Sequence, residues 1–325
     1  MIKNNPLVSV IIVTYDDAKY LEATLESVKA QDYENIEIIV SDDGSKDNTV
    51  EIAKKWLDAN RNYFSNIQLL SVVNNTGVTE NYQRAEKAAK GVWLKTIGGD
   101  DILYPSCISE NIHFINNNPN VDVVVSRQEL INELGKKLPT PIKAKEFDYF
   151  FQSSNILQKE YILRFDPIED TCLFKSKRMM EAIDYYDLDY PMQEDSPLKM
   201  RIAMGGFKYW SINKFLLAKR LRAGSLSGVS DKRIIVNNDI VRIEINKKYY
   251  IPLLSGLEKF LIKYDAIVVT LFYKCQWLNK KNVVCMTLFR LLRLPVMVVK
   301  GKKIRQINRR FFLSIENKNQ NNQIE

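Results

Sequence analysis

Residues that ligate soft metals or activate nucleophiles are scarce in this chain. Its 325 residues include one histidine, His113, and four cysteines, Cys107, Cys172, Cys275 and Cys285, with no CxxC pair among them. A His-rich or Cys-rich metal site and a histidine-based triad are therefore excluded, and the cysteines read as reduced thiols of a cytoplasmic protein. Glycine (12) and proline (10) are few, which excludes collagen-like and low-complexity chains; 46% hydrophobic and 26% charged residues describe an ordinary globular one. No stretch supplies the roughly 20 clean apolar residues of a spanning helix, since Val283–Val299 contains Arg290, Arg293 and Pro295. Val8–Val13 is too short for a secretory signal and runs straight into Thr14-Tyr15-Asp16-Asp17. No GxGxxG follows it and no GxxxxGK[ST] occurs, so a dinucleotide cradle and a P-loop are both absent.

Charge is unevenly placed. The chain carries a net +8, yet residues 231–325 hold 19 basic and 7 acidic side chains, a net +12, whereas residues 1–230 hold 28 and 32, a net −4. A nearly balanced body with a cationic end argues for one surface that meets anions, and against a nucleic-acid groove through the core.

The first hundred residues alternate two periods. Val8–Val13 is a short, β-branched run of the kind that forms a buried parallel strand, and Tyr20, Leu21, Leu25 and Val28 then recur at helical spacing. The alternation repeats: a strand at Ile36–Val40, a helix from Asp47-Asn48-Thr49 through Leu57, a strand at Ile67–Val73, a helix near Glu80–Lys90 and a strand at Val92–Ile97. The pattern predicts an α/β fold, a doubly wound parallel sheet whose ligand lies beyond the carboxyl ends of its strands. Those ends carry Thr14-Tyr15-Asp16-Asp17, Ser41-Asp42-Asp43-Gly44-Ser45, Asn74-Asn75-Thr76-Gly77 and Gly98-Gly99-Asp100-Asp101. Paired carboxylates after glycines suit Mg²⁺ or Mn²⁺ shared with a diphosphate. Taken alone, each acidic pair also reads as turn chemistry. A Gly-Asp-Asp triplet occurs in template-dependent RNA polymerases too, but not at the end of a βαβαβαβ sheet near residue 100.

Together these motifs resemble family 2 of the nucleotide-sugar-dependent glycosyltransferases, which have a GT-A fold. The resemblance rests on Val8–Tyr15, on Val40-Ser41-Asp42-Asp43-Gly44-Ser45-Lys46-Asp47-Asn48-Thr49, on Asn75-Thr76-Gly77-Val78 and on Ala89-Lys90-Gly91-Val92-Trp93-Leu94; it covers roughly residues 7–230. It implies that Thr14, Tyr15, Asp43 and Gly77 line a nucleotide site, with Asp43 accepting from a ring N–H of uracil. Asp100 would serve ribose or metal, and Asp101 is the competing metal ligand. Gly98 stands where most members have a first Asp. Gln193-Glu194-Asp195 resembles the family's acidic motif heading a helix, which makes Asp195 the implied base with Glu194 beside it. The bland alternative is an acidic first turn that favours a helix N-terminus. Arg220–Ser227 resembles the family's loop over the diphosphate. Arg222 replaces a histidine there and would clamp phosphate oxygens rather than ligate a cation.

What the resemblance implies is an inverting transferase, acting by single displacement. It would move a sugar from a nucleotide-diphosphate donor, expected to be a UDP-sugar, to a hydroxyl of a glycan or lipid-linked acceptor in bacterial cell-surface polysaccharide synthesis such as capsule or O-antigen. The organisation expected is residues 1–105 for the donor half, 106–230 for the acceptor half, 231–316 for a helical basic region and 317–325 for a disordered tail. The helical region alternates apolar clusters with Arg290, Arg293, Lys300, Lys302, Lys303, Arg305, Arg309 and Arg310. That pattern suits peripheral binding to an anionic membrane on its cytoplasmic face, or packing against the catalytic body. Two other functions compete. A nucleotidyltransferase needs a Gly-rich basic loop after the first strand, and none is present; a catalytically weak, GT-A-like binding protein at the membrane surface gains from Gly98 and Arg222.

Overall fold

The computed structural model describes residues 5–139, 150–165, 168, 170–222 and 233–321. These fall into two compact units, one of residues 5–139 with 168 and 170–222, the other of residues 150–165 with 233–321.

The first unit is built on one mixed sheet. Strands β1 (Val8–Thr14), β2 (Ile36–Asp42), β3 (Asn66–Ser71) and β4 (Trp93–Gly98) are mutually parallel in the order β3-β2-β1-β4. Helices α1 (Leu21–Lys29), α2 (Thr49–Ala59) and α3 (Val78–Ala88) are the crossovers. Every residue of β1 and β2 is buried, because helices cover both faces of a parallel sheet; this is why the two strands are mostly apolar, and the buried Ser9 of β1 donates its hydroxyl to the buried Glu37 of β2. Each helix turns its spaced apolar positions inward: Leu21, Leu25 and Val28 from α1, Ala53, Trp56 and Leu57 from α2, Tyr82 and Ala85 from α3.

Beyond β4 the direction changes. After β5 (Ile102–Leu103) and α4 (Cys107–Asn117) come β6 (Val123–Ile131) and β7 (Lys137–Leu138); later follow β8 (Leu173–Ser176), α6 (Lys177–Ala182), α7 (Asp195–Met204) and β9 (Tyr209–Arg220). Strand β8 inserts antiparallel between β4 and β6, β9 runs parallel to β6, and β5 closes the sheet antiparallel to β9. The β4–β8 joint has two residue pairs, and a buried ion pair reinforces it. Lys175 Nζ donates to Glu86 Oε1 at 2.7 Å and to Tyr186 Oη at 2.9 Å, while Thr96 Oγ1 donates to the same Glu86 oxygen at 2.7 Å.

The second unit is helical: α5 (Asn155–Phe165), α8 (Asn237–Ile245), α9 (Gly256–Lys274) and α10 (Val283–Asn321). Its core gathers Ile235, Ile243, Val268, Val269, Phe272 and Leu278. Helices α9 and α10 run antiparallel, with the rings of Phe272 and Phe289 4.9 Å apart. Asp265 accepts from Arg293 at 2.6 and 3.0 Å and from Lys300 at 3.3 Å. On α10 Cys285, Val296 and Ile307 face inward, whereas Val284, Leu288, Leu291, Leu294 and Val298 are exposed. The helix runs to Asn321, into the stretch read from the sequence as a tail; residues 322–325 lie outside the described set. Among the described residues no helix is long and apolar enough to cross a membrane.

Candidate active site

The carboxyl ends of β1, β2 and β4 meet because the three strands are in register. Thr14 pairs with Asp42, Val13 with Gly98, Asp43 N donates to Thr14 O at 3.0 Å and Gly99 N donates to Val13 O at 2.9 Å. Thr14 and Asp42 are buried here, with Thr14 Oγ1 donating to Asp42 Oδ1 at 3.0 Å. Asp42 then organises the turn, accepting from Gly44 N at 3.0 Å and Ser45 N at 2.9 Å. Tyr15 projects beside them, 44% exposed, enough to present an open ring face.

Asp43 is buried and holds a second loop. Its carboxylate accepts from Thr76 Oγ1 at 2.6 Å, Gly77 N at 2.9 Å and Thr76 N at 3.1 Å, and pairs with Arg84 at 3.3 Å. Gly77 has φ +95°, and a Cβ there would lie 2.7 Å from Pro191 O. Pro191 also accepts from Thr79 N at 3.1 Å, and Tyr190 O accepts from Thr79 Oγ1 at 2.6 Å. The segment leading into α7 is thereby docked on the start of α3. Glu194 immediately precedes that helix and Asp195 is its first residue, both half-buried.

At the end of β4, β5 holds the acidic pair beside β9. Ile102 pairs with Ala218, Arg220 N donates to Asp101 Oδ1 at 3.0 Å and Arg220 Nε donates to Asp100 O at 2.9 Å. Two residues on, Arg222 spans two carboxylates: Nη1 donates to Asp17 Oδ1 at 2.7 Å and Nε lies 3.2 Å from Asp100 Oδ2. Burial pushes the Asp17 carboxyl up to about 6, with Arg222 and the Tyr15 N–H pulling the other way. Asp101 is pushed up to about 7 by burial and then by the neighbouring Asp100 charge. The rest of the loop resembling the diphosphate cover, residues 223–227, lies outside the described residues.

The expected divalent ion fits the donors present. A Cβ on Gly98 would stand 3.0 Å from Asp100 Oδ1 and 3.5 Å from Asp101 Oδ2, so both oxygens lie beside the space that the missing side chain leaves open. They are the oxygens of each carboxylate turned away from Arg222 and from Arg220 N. Two hard carboxylate oxygens, with diphosphate and water completing the shell, suit Mg²⁺ or Mn²⁺. Among the described residues no three Asp, Glu, His or Cys side chains are grouped for a cation, so the ligand itself has to complete any such site.

Of the residues expected from the sequence, Thr14, Asp43, Gly77, Asp100, Asp101 and Arg222 therefore stand on the joined ends of β1, β2, β4 and β9 and the loop before α3, with Tyr15 at the rim. Asp17, Thr76, Arg84 and Arg220 belong to the same network and were not singled out. Asp17 was visible as an acid following the first strand; Arg84 left no signal, being one polar residue inside a helix.

A family model for glycosyl transferase family 2 matches residues 9–179. An uncharacterized glycosyltransferase of Rickettsia felis is 38% identical over 136 residues, 41% of this chain but only 21% of that protein. The chain thus spans a minor part of that relative's length. An uncharacterized glycosyltransferase of Methanocaldococcus jannaschii is 26% identical over 278 residues, 83% of this chain and 89% of the relative. The crystal structure of Staphylococcus aureus TarS 1–349 in complex with UDP-GlcNAc superposes with a TM-score of 0.59 at 18% identity, covering 88% of this chain and 79% of that one. That likeness is one of fold, and the fold is GT-A.

Proposed function

The chain belongs to glycosyl transferase family 2, and from that premise we propose that it is an inverting glycosyltransferase using a nucleotide-diphosphate sugar, most simply a UDP-sugar. The observation that carries the reading is the meeting of Thr14, Asp43, Asp100, Asp101 and Arg222 at the carboxyl ends of the strands, with the segment leading to Asp195 docked on Gly77.

In this reading Tyr15 stacks on the base, and Asp43 Oδ2 accepts its ring N–H. Oδ1 accepts from Thr76 Oγ1, Thr76 N and Arg84, whereas Oδ2 accepts from the Gly77 and Thr76 backbone N–H groups, so Oδ2 is the less heavily loaded oxygen. Asp100 and Asp101 would hold the divalent ion, which when bound supplies positive charge to the departing diphosphate. Arg222 adds a guanidinium that exchanges carboxylate for phosphate oxygens. Asp195 takes the proton of the acceptor hydroxyl as its oxygen bonds to the anomeric carbon and the bond from that carbon to the diphosphate oxygen breaks. Glu194 sits next to it as a secondary acid. The acceptor is a hydroxyl of a glycan or lipid-linked glycan of the bacterial cell surface, met in the cytoplasm or at the inner face of the membrane.

The test is release of free nucleotide from a panel of UDP-, dTDP- and GDP-sugars with Mn²⁺ or Mg²⁺ present. Turnover of one donor, reduced about 10²–10⁴-fold in Asp195→Asn, is the expected result. Gly98 in place of an acid, and Arg222 already paired with Asp17, favour a second reading: a catalytically weak donor-binding protein. Tight donor binding with no release by the native chain would select it.

A further inference from the structure

We propose that the α9–α10 face of the second unit is a docking surface for an anionic lipid bilayer. On α10 the positions 284, 288, 291, 295, 298, 302, 305 and 309 follow one another at steps of three and four, so they share a single outward face about 38 Å long. The first part of this face is apolar and solvent-exposed: Val284 (77%), Leu288 (39%), Leu291 (62%) and Val298 (47%), with Leu294 at its border. The same face then turns cationic with Lys302, Arg305 and Arg309, all exposed. Helix α9 repeats the arrangement. Leu257, Phe260, Ile267 and Leu271 are exposed at the same spacing, and the exposed Lys263 and Lys274 flank them. Tyr264, between Phe260 and Ile267, donates its hydroxyl to Leu292 O on α10 at 3.0 Å. The connection between the helices carries Trp277, 70% exposed, an amphipathic ring of the kind that settles at headgroup depth.

Water is a poor partner for so much apolar surface in one place. A second copy of this chain is a poor partner too. Side-by-side α10 helices in parallel would set Lys302, Arg305 and Arg309 against themselves, and in antiparallel would set them against Val284 and Leu288, while Pro295 interrupts the middle of the seam. A bilayer with anionic headgroups matches both parts of the face. Apolar side chains enter the acyl boundary, and lysine and arginine stems lie along it with their charges among the phosphates. The 19 basic side chains against 7 acidic ones in residues 231–325 supply attraction at longer range. Since no described helix can span, the face lies on the membrane rather than in it. This inference rests on the second unit's surface and not on the transferase reading.

Flotation of the full chain with phosphatidylcholine vesicles containing about 30 mol % phosphatidylglycerol tests it. The chain co-floats at low salt, fails to float with pure phosphatidylcholine, and is released by about 0.5 M NaCl. The triple change Lys302→Glu, Arg305→Glu, Arg309→Glu reduces the bound fraction at least about tenfold, as does Leu291→Asp with Val298→Asp. UDP affinity and the thermal melt stay as in the native chain, which separates a lost surface from a lost fold. Tryptophan emission shifts to the blue on anionic vesicles, and Trp277→Phe removes the shift. No flotation at low salt, flotation that both multiple variants leave intact, or a dimer at sedimentation equilibrium that Leu291→Asp dissociates would each overturn the proposal. Vesicle binding without any UDP binding would leave it standing and sink the transferase reading.

Discussion

Gly77 shows how much of the site depends on one missing methyl group. Its φ of +95° and the 2.7 Å that would separate a Cβ from Pro191 O leave no place for a side chain. Alanine there pushes back the segment that carries Glu194 and Asp195, and small misplacements of a base are costly. Gly77→Ala is expected to lower kcat about 10–100-fold with a smaller change in UDP affinity, read from steady-state kinetics and calorimetry. Arg222 makes the complementary prediction. Because its guanidinium sits between Asp17 and Asp100, it offers phosphate a cation that chelators cannot remove. UDP should still bind in EDTA, more weakly, and Arg222→Ala in EDTA should lose about a further tenfold; binding abolished by EDTA alone in the native chain would count against the clamp. At this scale the sequence was informative about Asp43, Asp100 and Asp101, because a carboxylate after a buried parallel strand has few other places to point. It was silent on Asp17 meeting Arg222, a contact across 205 residues that no local pattern encodes.

Elements were legible in proportion to how local their cause is. The strands ending at Thr14, Asp42 and Gly98 announce themselves as short, mainly apolar and β-branched runs, and α1 to α3 as spaced apolar positions. Strand β8 is harder to see: Asp170–Cys172 forms a 3-10 turn and pairing starts only at Leu173. Its antiparallel insertion between β4 and β6 leaves no periodic mark, being decided by which edges remain unpaired. The α9–α10 pair rests on a polar feature within an apolar seam. Burial alone would raise the Asp265 carboxyl, but hydrogen bonds from Arg293 and the charge of Lys300 hold it below the usual carboxylate range. A carboxylate held low contributes stability that is complete above its unfolded value, near about 4, and lost as pH falls through the folded one. Urea denaturation should therefore show the helical unit weakening below about pH 4. Asp265→Asn should lower stability at pH 7 by about 1–3 kcal/mol and flatten that acid limb.

Across the whole chain, charge and architecture are divided in the same way: a nearly balanced α/β body and a cationic helical unit. The imbalance could be counted directly from the residues, whereas the outward facing of Val284, Leu291 and Val298 needed the helix to be seen against its neighbour. One feature of the body governs how it can be taken apart. The sheet passes without a break from β3 through β1 and β4 into β8, β6 and β9, so the two stretches divided at residue 105 in the sequence reading share a backbone ladder rather than a linker. Severing the chain after residue 105 would strip β4 of β8, and β5 of β9, baring hydrogen-bonding edges that other molecules would seize. Neither fragment should be obtainable as a soluble monomer on its own, and co-expressing the two should rescue both only by rebuilding the seam.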